Sequence, residues 1–163
     1  YAFLDGFTGE KKTVDDYRNL SKLGLKRIYI GLESGSDDLL NYLHKPGNAR
    51  SALTTVKHIK EAGIAVGVIV LLGAGGKQYS HQHVSETIKV LNEMPLDLDD
   101  IVYFSELVEL EKMDYLKTAY DNSLEPLSLQ EIIKQQELIE QNLIFNKNGT
   151  PHISRYDVRE FVC

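Results

Sequence analysis

The stretch Arg27-Ile-Tyr-Ile-Gly-Leu-Glu-Ser-Gly-Ser-Asp-Asp38 joins a run of β-branched and aromatic residues directly to a polar segment. The apolar part predicts a strand over Arg27–Leu32, and no spacer separates it from Glu33, Ser34 and Gly35. Parallel strands are buried on both faces, so the polar side chains of α/β proteins collect where a strand leaves the sheet. The stretch therefore indicates a functional site at the carboxyl end of a buried parallel strand.

Composition and charge narrow the class of protein. The 163 residues are 42% hydrophobic and 26% charged, as in an ordinary globular domain. The formal net charge of -6 argues against a nucleic-acid partner, since phosphate binding requires a basic surface. No apolar run reaches the roughly 18 residues of a membrane helix, and no signal peptide is recognised. The single cysteine, Cys163, excludes a disulfide framework. We expect a cytoplasmic protein that acts on a small molecule and contacts neither nucleic acid nor membrane.

One helix-and-strand unit is repeated along the chain. Ser21-Lys-Leu-Gly-Leu25 precedes one predicted strand, and Lys60-Glu-Ala-Gly-Ile64 leads into the most apolar run, Ile64–Leu72. The glycines of the two segments lie 39 residues apart. Because this is the length of a helix plus a strand, the spacing predicts a repeated β/α module.

Periodicity and capping residues predict the order β-α-β-α-α-β-α-β-α. The predicted strands are Tyr1–Leu4, Arg27–Leu32, Ile64–Leu72 and Ile101–Phe104. Helices are expected over about 14–23, 37–45, 48–62, 84–94 and 129–143, with a further helix over 113–120 and polar loops over 9–12 and 77–82. Right-handed crossovers would make the strands parallel neighbours, as in half of a β/α barrel or part of a doubly wound sheet. Both architectures place the site at the carboxyl ends of the strands.

Three predicted strand endings, Glu33–Gly35, Gly73–Gly76 and Ser105–Glu106, carry residues suited to a binding site. An alternative interpretation, in which they only cap helices and form turns, fits the pattern equally well. The glycines from Gly73 to Gly76 expose the backbone, which allows a flat ligand group to lie close to it. A phosphate-binding loop is excluded, because Leu71 and Gln78 stand where that motif requires glycine and Ser or Thr.

Lys45 and two histidines have competing interpretations. Lys45 is either a solvated helix end or a cation that receives a ligand carboxylate above the Glu33 strand. His81 and His83 are close enough for a metal site, but we predict none, because no supporting carboxylate or cysteine adjoins them.

The segment Gly24-Leu-Lys-Arg-Ile-Tyr-Ile-Gly-Leu-Glu-Ser-Gly-Ser-Asp-Asp-Leu-Leu40 resembles radical S-adenosylmethionine (SAM) enzymes. It is most similar to the group related to oxygen-independent coproporphyrinogen III oxidase. Lys45-Pro46-Gly47, Val56-Lys-His-Ile-Lys-Glu-Ala-Gly-Ile64 and the strand ending at Gly73 continue the resemblance, which covers about residues 1–110.

The resemblance implies an α/β fold that is a partial (half) TIM-type β/α barrel of about four parallel strands with helices, plus a C-terminal helix. Residues 1–145 would form the C-terminal half of the family's six-stranded partial barrel, and residues 146–163 a tail. Such an open half barrel leaves the edge at Tyr1–Leu4 unpaired, so we expect a dimer or a covered edge.

The resemblance also implies which residues bind SAM. Glu33 matches a residue that contacts the ribose hydroxyls, and Lys45 stands where relatives have a basic residue for the methionine carboxylate. The glycine segment would flank the adenine, and the sixth-strand ending would approach the adenine or the substrate. The implied cofactor-binding residues are Glu33, Ser34, Lys45, Gly73, Gly75 and Ser105.

Two family motifs are absent. The chain contains neither the CxxxCxxC loop, which holds the [4Fe-4S] cluster, nor the Gly-Gly-Glu stretch of the second strand. It also has Gly73-Ala-Gly-Gly-Lys77 where many relatives have Gly-x-Pro-Gly. We therefore expect a fragment, inactive alone, of a longer radical SAM enzyme whose cluster ligands lie elsewhere. The alternative is a non-catalytic α/β ligand-binding or interaction module.

Overall fold

Five strands and six helices make up the part of the chain that the structure, a computed structural model, describes: residues 1–106, 124–145 and 149–156. The strands are β1 (Ala2–Asp5), β2 (Arg27–Glu33), β3 (Ala65–Leu72), β4 (Ile101–Glu106) and β5 (His152–Tyr156). The helices are α1 (Gly6–Glu10), α2 (Val14–Lys22), α3 (Asp37–Tyr42), α4 (Ala49–Glu61), α5 (Gly76–Glu93) and α6 (Leu129–Gln141).

All five strands are parallel and pair in chain order, β1-β2-β3-β4-β5. The predicted α/β class is therefore confirmed, and the sequential strand order is that of part of a β/α barrel. The sequence predicts four strands, whereas the structure adds β5 within the segment assigned to a tail. The division of the chain at residue 145 stays a prediction.

The two faces of the sheet differ in burial. Along β2, Ile28, Ile30 and Leu32 are buried, and the residues between them are only partly covered. Alternate residues of a strand point to opposite faces, so the buried set faces the helices and Glu33 lies on the open face. The core between sheet and helices contains, among others, Tyr17, Leu53, Val56, Ile59, Val68, Leu91 and Phe104.

Two predicted loops are partly or wholly helical in the structure. Of the loop predicted over 9–12, residues 9 and 10 belong to α1, and residues 11 and 12 follow the helix as a turn. The helix begins at Gly6, where Asp5 caps it by accepting a hydrogen bond from the Thr8 N–H at 2.6 Å. Residues 77–82 belong to α5, which begins eight positions earlier than expected. The first turns of α5 have no apolar stripe to indicate a helix, because polar side chains on this part of α5 contact other segments. Ser80, for example, accepts a hydrogen bond from Gln135 of α6. The expected helix over 113–120 lies outside the described residues.

A buried ion cluster ties the amino ends of β3, β4 and β5 together. Lys60 Nζ lies 2.7 Å from the carboxylate of Asp100 and 2.9 Å from that of Asp97. The Asp100 side chain is completely buried and also accepts hydrogen bonds from the N–H groups of Val66 and Asp97, both at 2.8 Å. Its own carbonyl accepts the N–H of His152 from β5. The cluster therefore aligns β3, β4 and β5 at their amino ends, and the opposite ends of β3 and β4 lead to the predicted site residues Gly73 and Ser105.

Replacing Lys60 by Met should lower the free energy of unfolding by about 3 kcal/mol, because it leaves the buried Asp100 carboxylate without its counter-charge. Urea denaturation with linear extrapolation measures this. Arg18→Met is the control, since it removes exposed ion pairs with Asp15 and Glu61 and should change stability by about 1 kcal/mol at most. Equal effects of the two substitutions would contradict the role of the cluster.

Candidate functional site

Glu33, the last residue of β2, has a backbone conformation that side-chain-bearing residues rarely adopt. Its φ of 59° lies in the left-handed region. The N–H of Ser34 donates to the carbonyl of Leu32 at 2.7 Å, which closes a three-residue γ-turn around Glu33. A non-glycine residue in this region costs about 1–3 kcal/mol and persists only when its surroundings impose it. The strand pairing with β3 also shifts register between Gly31 and Glu33.

The turn places the Glu33 carboxylate over the backbone of Gly31. A Cβ atom added at Gly31 would lie 2.7 Å from Glu33 Oε1, so the carboxylate uses the space that a glycine leaves. Lys45, from the segment between α3 and α4, donates from Nζ to the same oxygen at 3.3 Å. The Glu33 side chain is 21% exposed and the Lys45 side chain is 35% exposed, so both are accessible to a ligand. The structure thus brings together the carboxylate and the cation that the sequence singles out.

Glu33 and Lys45 line a cleft of about 440 Å³ at the carboxyl edge of the sheet. Its volume lies within the roughly 300–1,000 Å³ of small-molecule sites. Its walls come from the carboxyl ends of β1 and β2 and from the segment after α3, and include Phe3, Tyr29, Gly31, Glu33, Lys45 and Asn48. A cleft of about 660 Å³ between α5 and α6 contains none of the predicted cofactor-binding residues.

Ser34 lies behind the cleft rather than in its wall. It is completely buried, and its Oγ lies 2.8 Å from Nδ1 of His83 on α5. The same oxygen accepts the N–H of Ser36 at 3.0 Å. Ser34 therefore faces the protein interior in this structure, and its direct contact with a cofactor stays a prediction.

Gly73, Gly75 and Ser105 lie at the same edge of the sheet but outside the lining of the 440 Å³ cleft. Gly73 has a φ of 79° and donates its N–H to Oε1 of Gln135 at 2.9 Å. Gly75 has a φ of 74°, and a Cβ there would lie 2.6 Å from Leu39 Cδ1, so this glycine packs against α3. Ser105 pairs with residue 71 of β3 and is 8% exposed.

The sequence reasoning did not identify three buried polar residues that support these strand ends. His83 and Thr87 lie on α5, and Thr87 Oγ1 accepts the N–H of Gly35 at 2.9 Å. Gln135 on α6 bridges Gly73 and Ser80. A signal exists for His83 and Thr87, since a polar pair four positions apart lies on one helix face, but the helix predicted over 84–94 begins one position after His83.

Burial lowers the pKa of His83 to about 4, so its ring is neutral at physiological pH and can accept a hydrogen bond at Nδ1. Its Nε2 has no hydrogen-bond partner among the described residues. In that same part of the chain, no three His, Cys, Asp or Glu side chains are grouped so as to hold a metal ion. Nor does any described helix combine the length and apolarity needed to cross a membrane.

A parallel sheet covered by helices, with polar residues gathered at its carboxyl edge, is the arrangement of β/α barrels and related α/β folds that bind small molecules. Residues 5–91, more than half of the chain, match the Radical SAM superfamily. The chain therefore belongs to the radical SAM superfamily.

The fold is also similar to a solved structure of the archaeal Methanocaldococcus infernus Elp3 with an N-terminal deletion of residues 1–46. The TM-score is 0.70 at 13% sequence identity, over 94% of this chain and 38% of that one. The chain thus spans well under half of the matched structure's length, and the similarity confirms the fold. No curated protein matches the sequence significantly.

The low pKa of His83 predicts a pH-dependent stability. The unfolded state takes up the proton near pH 6.5 and the folded state near pH 4, so stability falls as the pH decreases between these values. The difference in unfolding free energy between the natural protein and His83→Asn should change by about 3 kcal/mol across this window. Urea denaturation at several pH values measures it. An equally large change for His81→Asn, at an exposed position of the same helix, would contradict the assignment to burial.

Proposed function

We propose that this chain binds SAM as part of a radical SAM enzyme, with the cofactor at the carboxyl edge of the sheet. Membership of the radical SAM superfamily supports the cofactor class. The observation that carries the proposal is the Glu33 carboxylate, held over Gly31 in a γ-turn and paired with Lys45 at the wall of the cleft.

The chemistry of SAM fits these two side chains. A carboxylate offers about four acceptor sites, so Glu33 can accept from both ribose hydroxyls while it keeps a contact with Lys45. The Lys45 ammonium has three donors and can receive the methionine carboxylate in a charge-assisted hydrogen bond. We assign the adenine to the edge formed by Gly73, Gly75 and Ser105, with Ser34 supporting the Glu33 turn from behind.

The iron–sulfur cluster does not fit this chain's own residues. A [4Fe-4S] cluster is held by cysteine thiolates, and the sequence contains one cysteine, Cys163. The proposal therefore places the cluster ligands outside this sequence. Together with such a cluster, bound SAM supplies radical chemistry, and the role of this chain is to bind and orient the nucleoside and amino-acid parts of SAM.

A finer assignment is part of the same proposal. The similarity of residues 24–40 to enzymes related to oxygen-independent coproporphyrinogen III oxidase supports a cytoplasmic oxidoreductase of that group. The superfamily match favours the enzyme over a non-catalytic ligand-binding or interaction module. The substrate is a small molecule whose class these residues do not define.

Titration with SAM and with adenosine distinguishes the proposed roles of Glu33 and Lys45. Loss of a hydrogen bond to a charged group costs about 1.5–3 kcal/mol, so Glu33→Gln should raise the Kd for both ligands about tenfold. Lys45→Met should weaken SAM similarly but leave adenosine unchanged, because adenosine has no carboxylate. NMR shift titration of the chain detects even weak binding.

The control for this titration is Glu61→Gln, which removes an exposed carboxylate of α4 that pairs with Arg18. This variant should bind both ligands like the natural protein. If Glu33→Gln also bound both ligands normally, the proposed ribose contact would be wrong.

The predicted dimer is a separate proposal. Among the described residues β1 pairs only with β2, and Phe3 is 73% exposed beside its free edge. Light scattering should give the mass of a dimer for the natural protein. The Phe3→Lys variant should have the mass of a monomer, because charged side chains on an edge strand oppose strand pairing. A monomeric natural protein at micromolar concentration would contradict this proposal.

A further inference from the structure

The γ-turn at Glu33 needs support from outside the strand. Its left-handed backbone is unfavourable for a residue with a side chain, and its internal hydrogen bond is that of a strained turn. The Lys45 contact at 3.3 Å involves a flexible and partly exposed side chain. Such a pair stabilises by about 1 kcal/mol at most, which does not offset the strain.

Two side chains of α5 contact the residues that directly follow Glu33. His83 and Thr87 are both completely buried and lie four positions apart, on one face of the helix. His83 Nδ1 lies 2.8 Å from Ser34 Oγ, and Thr87 Oγ1 accepts the N–H of Gly35 at 2.9 Å. The helix therefore holds Ser34, which closes the turn, and Gly35, which directly follows it, by one polar contact each.

The position of Gly35 shows how closely the turn lies on α5. A Cβ added there would be 2.4 Å from the carbonyl carbon of Glu86, a backbone atom that cannot move aside without shifting the helix. The turn backbone therefore rests directly on the helix backbone between the two polar contacts.

The hydrogen-bond roles are consistent with a fixed geometry. Ser34 Oγ accepts the N–H of Ser36, which leaves its hydroxyl proton to be donated to His83 Nδ1. Burial keeps His83 neutral, with a pKa of about 4. The Nε2 atom of His83 has no hydrogen-bond partner among the described residues. Burying an unpaired polar atom costs about 1–3 kcal/mol, and an apolar residue at this position would avoid that cost.

We propose that His83 and Thr87 are positioning residues, which hold the Glu33 γ-turn in the shape that presents its carboxylate to the cleft. They act through Ser34 and Gly35 and do not touch the ligand. The consequence for ligand binding rests on the proposed function, whereas the effect on the turn itself does not depend on it.

The test uses three variants of α5. His83→Leu and Thr87→Val each remove one contact at nearly constant volume. Leu91→Ala is the control, since Leu91 is 2% exposed, one turn further along the same face, and belongs to the main core. It should destabilise the protein by about 2–5 kcal/mol without touching the turn.

The direct readout is the geometry of the turn, measured by NMR. The three-bond HN–Hα coupling of Glu33 reports its φ, and amide hydrogen exchange reports the Gly35 N–H. Both should change in His83→Leu and in Thr87→Val. In Leu91→Ala the Glu33 coupling should stay unchanged, and exchange of the Gly35 N–H should accelerate by no more than the loss of global stability accounts for. His83→Asn, which keeps a polar atom near the position of Nδ1, should restore both.

The second readout is ligand affinity. We expect the Kd for adenosine to rise about tenfold in His83→Leu and Thr87→Val, to recover in His83→Asn and to stay unchanged in Leu91→Ala. If the natural protein binds no adenosine, the proposed function fails, and the NMR geometry still decides the positioning role. If His83→Leu does not fold, Thr87→Val decides alone. An unchanged Glu33 coupling in the folded variants overturns the proposal.

Discussion

The arrangement of the site depends on one local constraint, the left-handed turn that ends β2 at Glu33. An ordinary continuation of the strand would carry this residue along the sheet, whereas the γ-turn folds its carboxylate back over Gly31. A Cβ at residue 31 would occupy the space of the carboxylate, and in this position the carboxylate lies 3.3 Å from Lys45 Nζ. The pairing of carboxylate and cation at the cleft is therefore a consequence of backbone geometry.

Strand ends in this fold are held by buried polar side chains of later helices. His83 and Thr87 of α5 hold the segment after β2, and Gln135 of α6 holds Gly73 after β3 and Ser80 in α5. Polar groups at the carboxyl edge of a parallel sheet need partners once they are buried, and the next helices supply them. In these two cases the helix of one β/α unit supports the strand end of the unit before it, while Lys60 and Asp100 fix the opposite edge.

Most strands and helices and two of the site residues could be predicted from the sequence, because local sequence patterns indicate them. Alternating or continuous apolar runs located the strands β1 to β4. The capping residue Thr13 located α2, and the capping box of Ser128 with Glu131 located α6; the structure contains both caps. Glu33 and Lys45 came from the residues together with a family resemblance. The γ-turn and the role of His83 could not be predicted, because they depend on contacts between residues about 50 positions apart. The start of α5 was missed since its first turns are polar.

The proposed contact between the Glu33 carboxylate and the ribose of SAM can be observed directly in a crystal structure of the chain with bound SAM. We expect both ribose hydroxyls within about 2.5–3.0 Å of the Glu33 carboxylate, with the methionine carboxylate on Lys45 and the turn unchanged. SAM bound in the cleft between α5 and α6, or bound at the sheet edge without contact to Glu33, would contradict it.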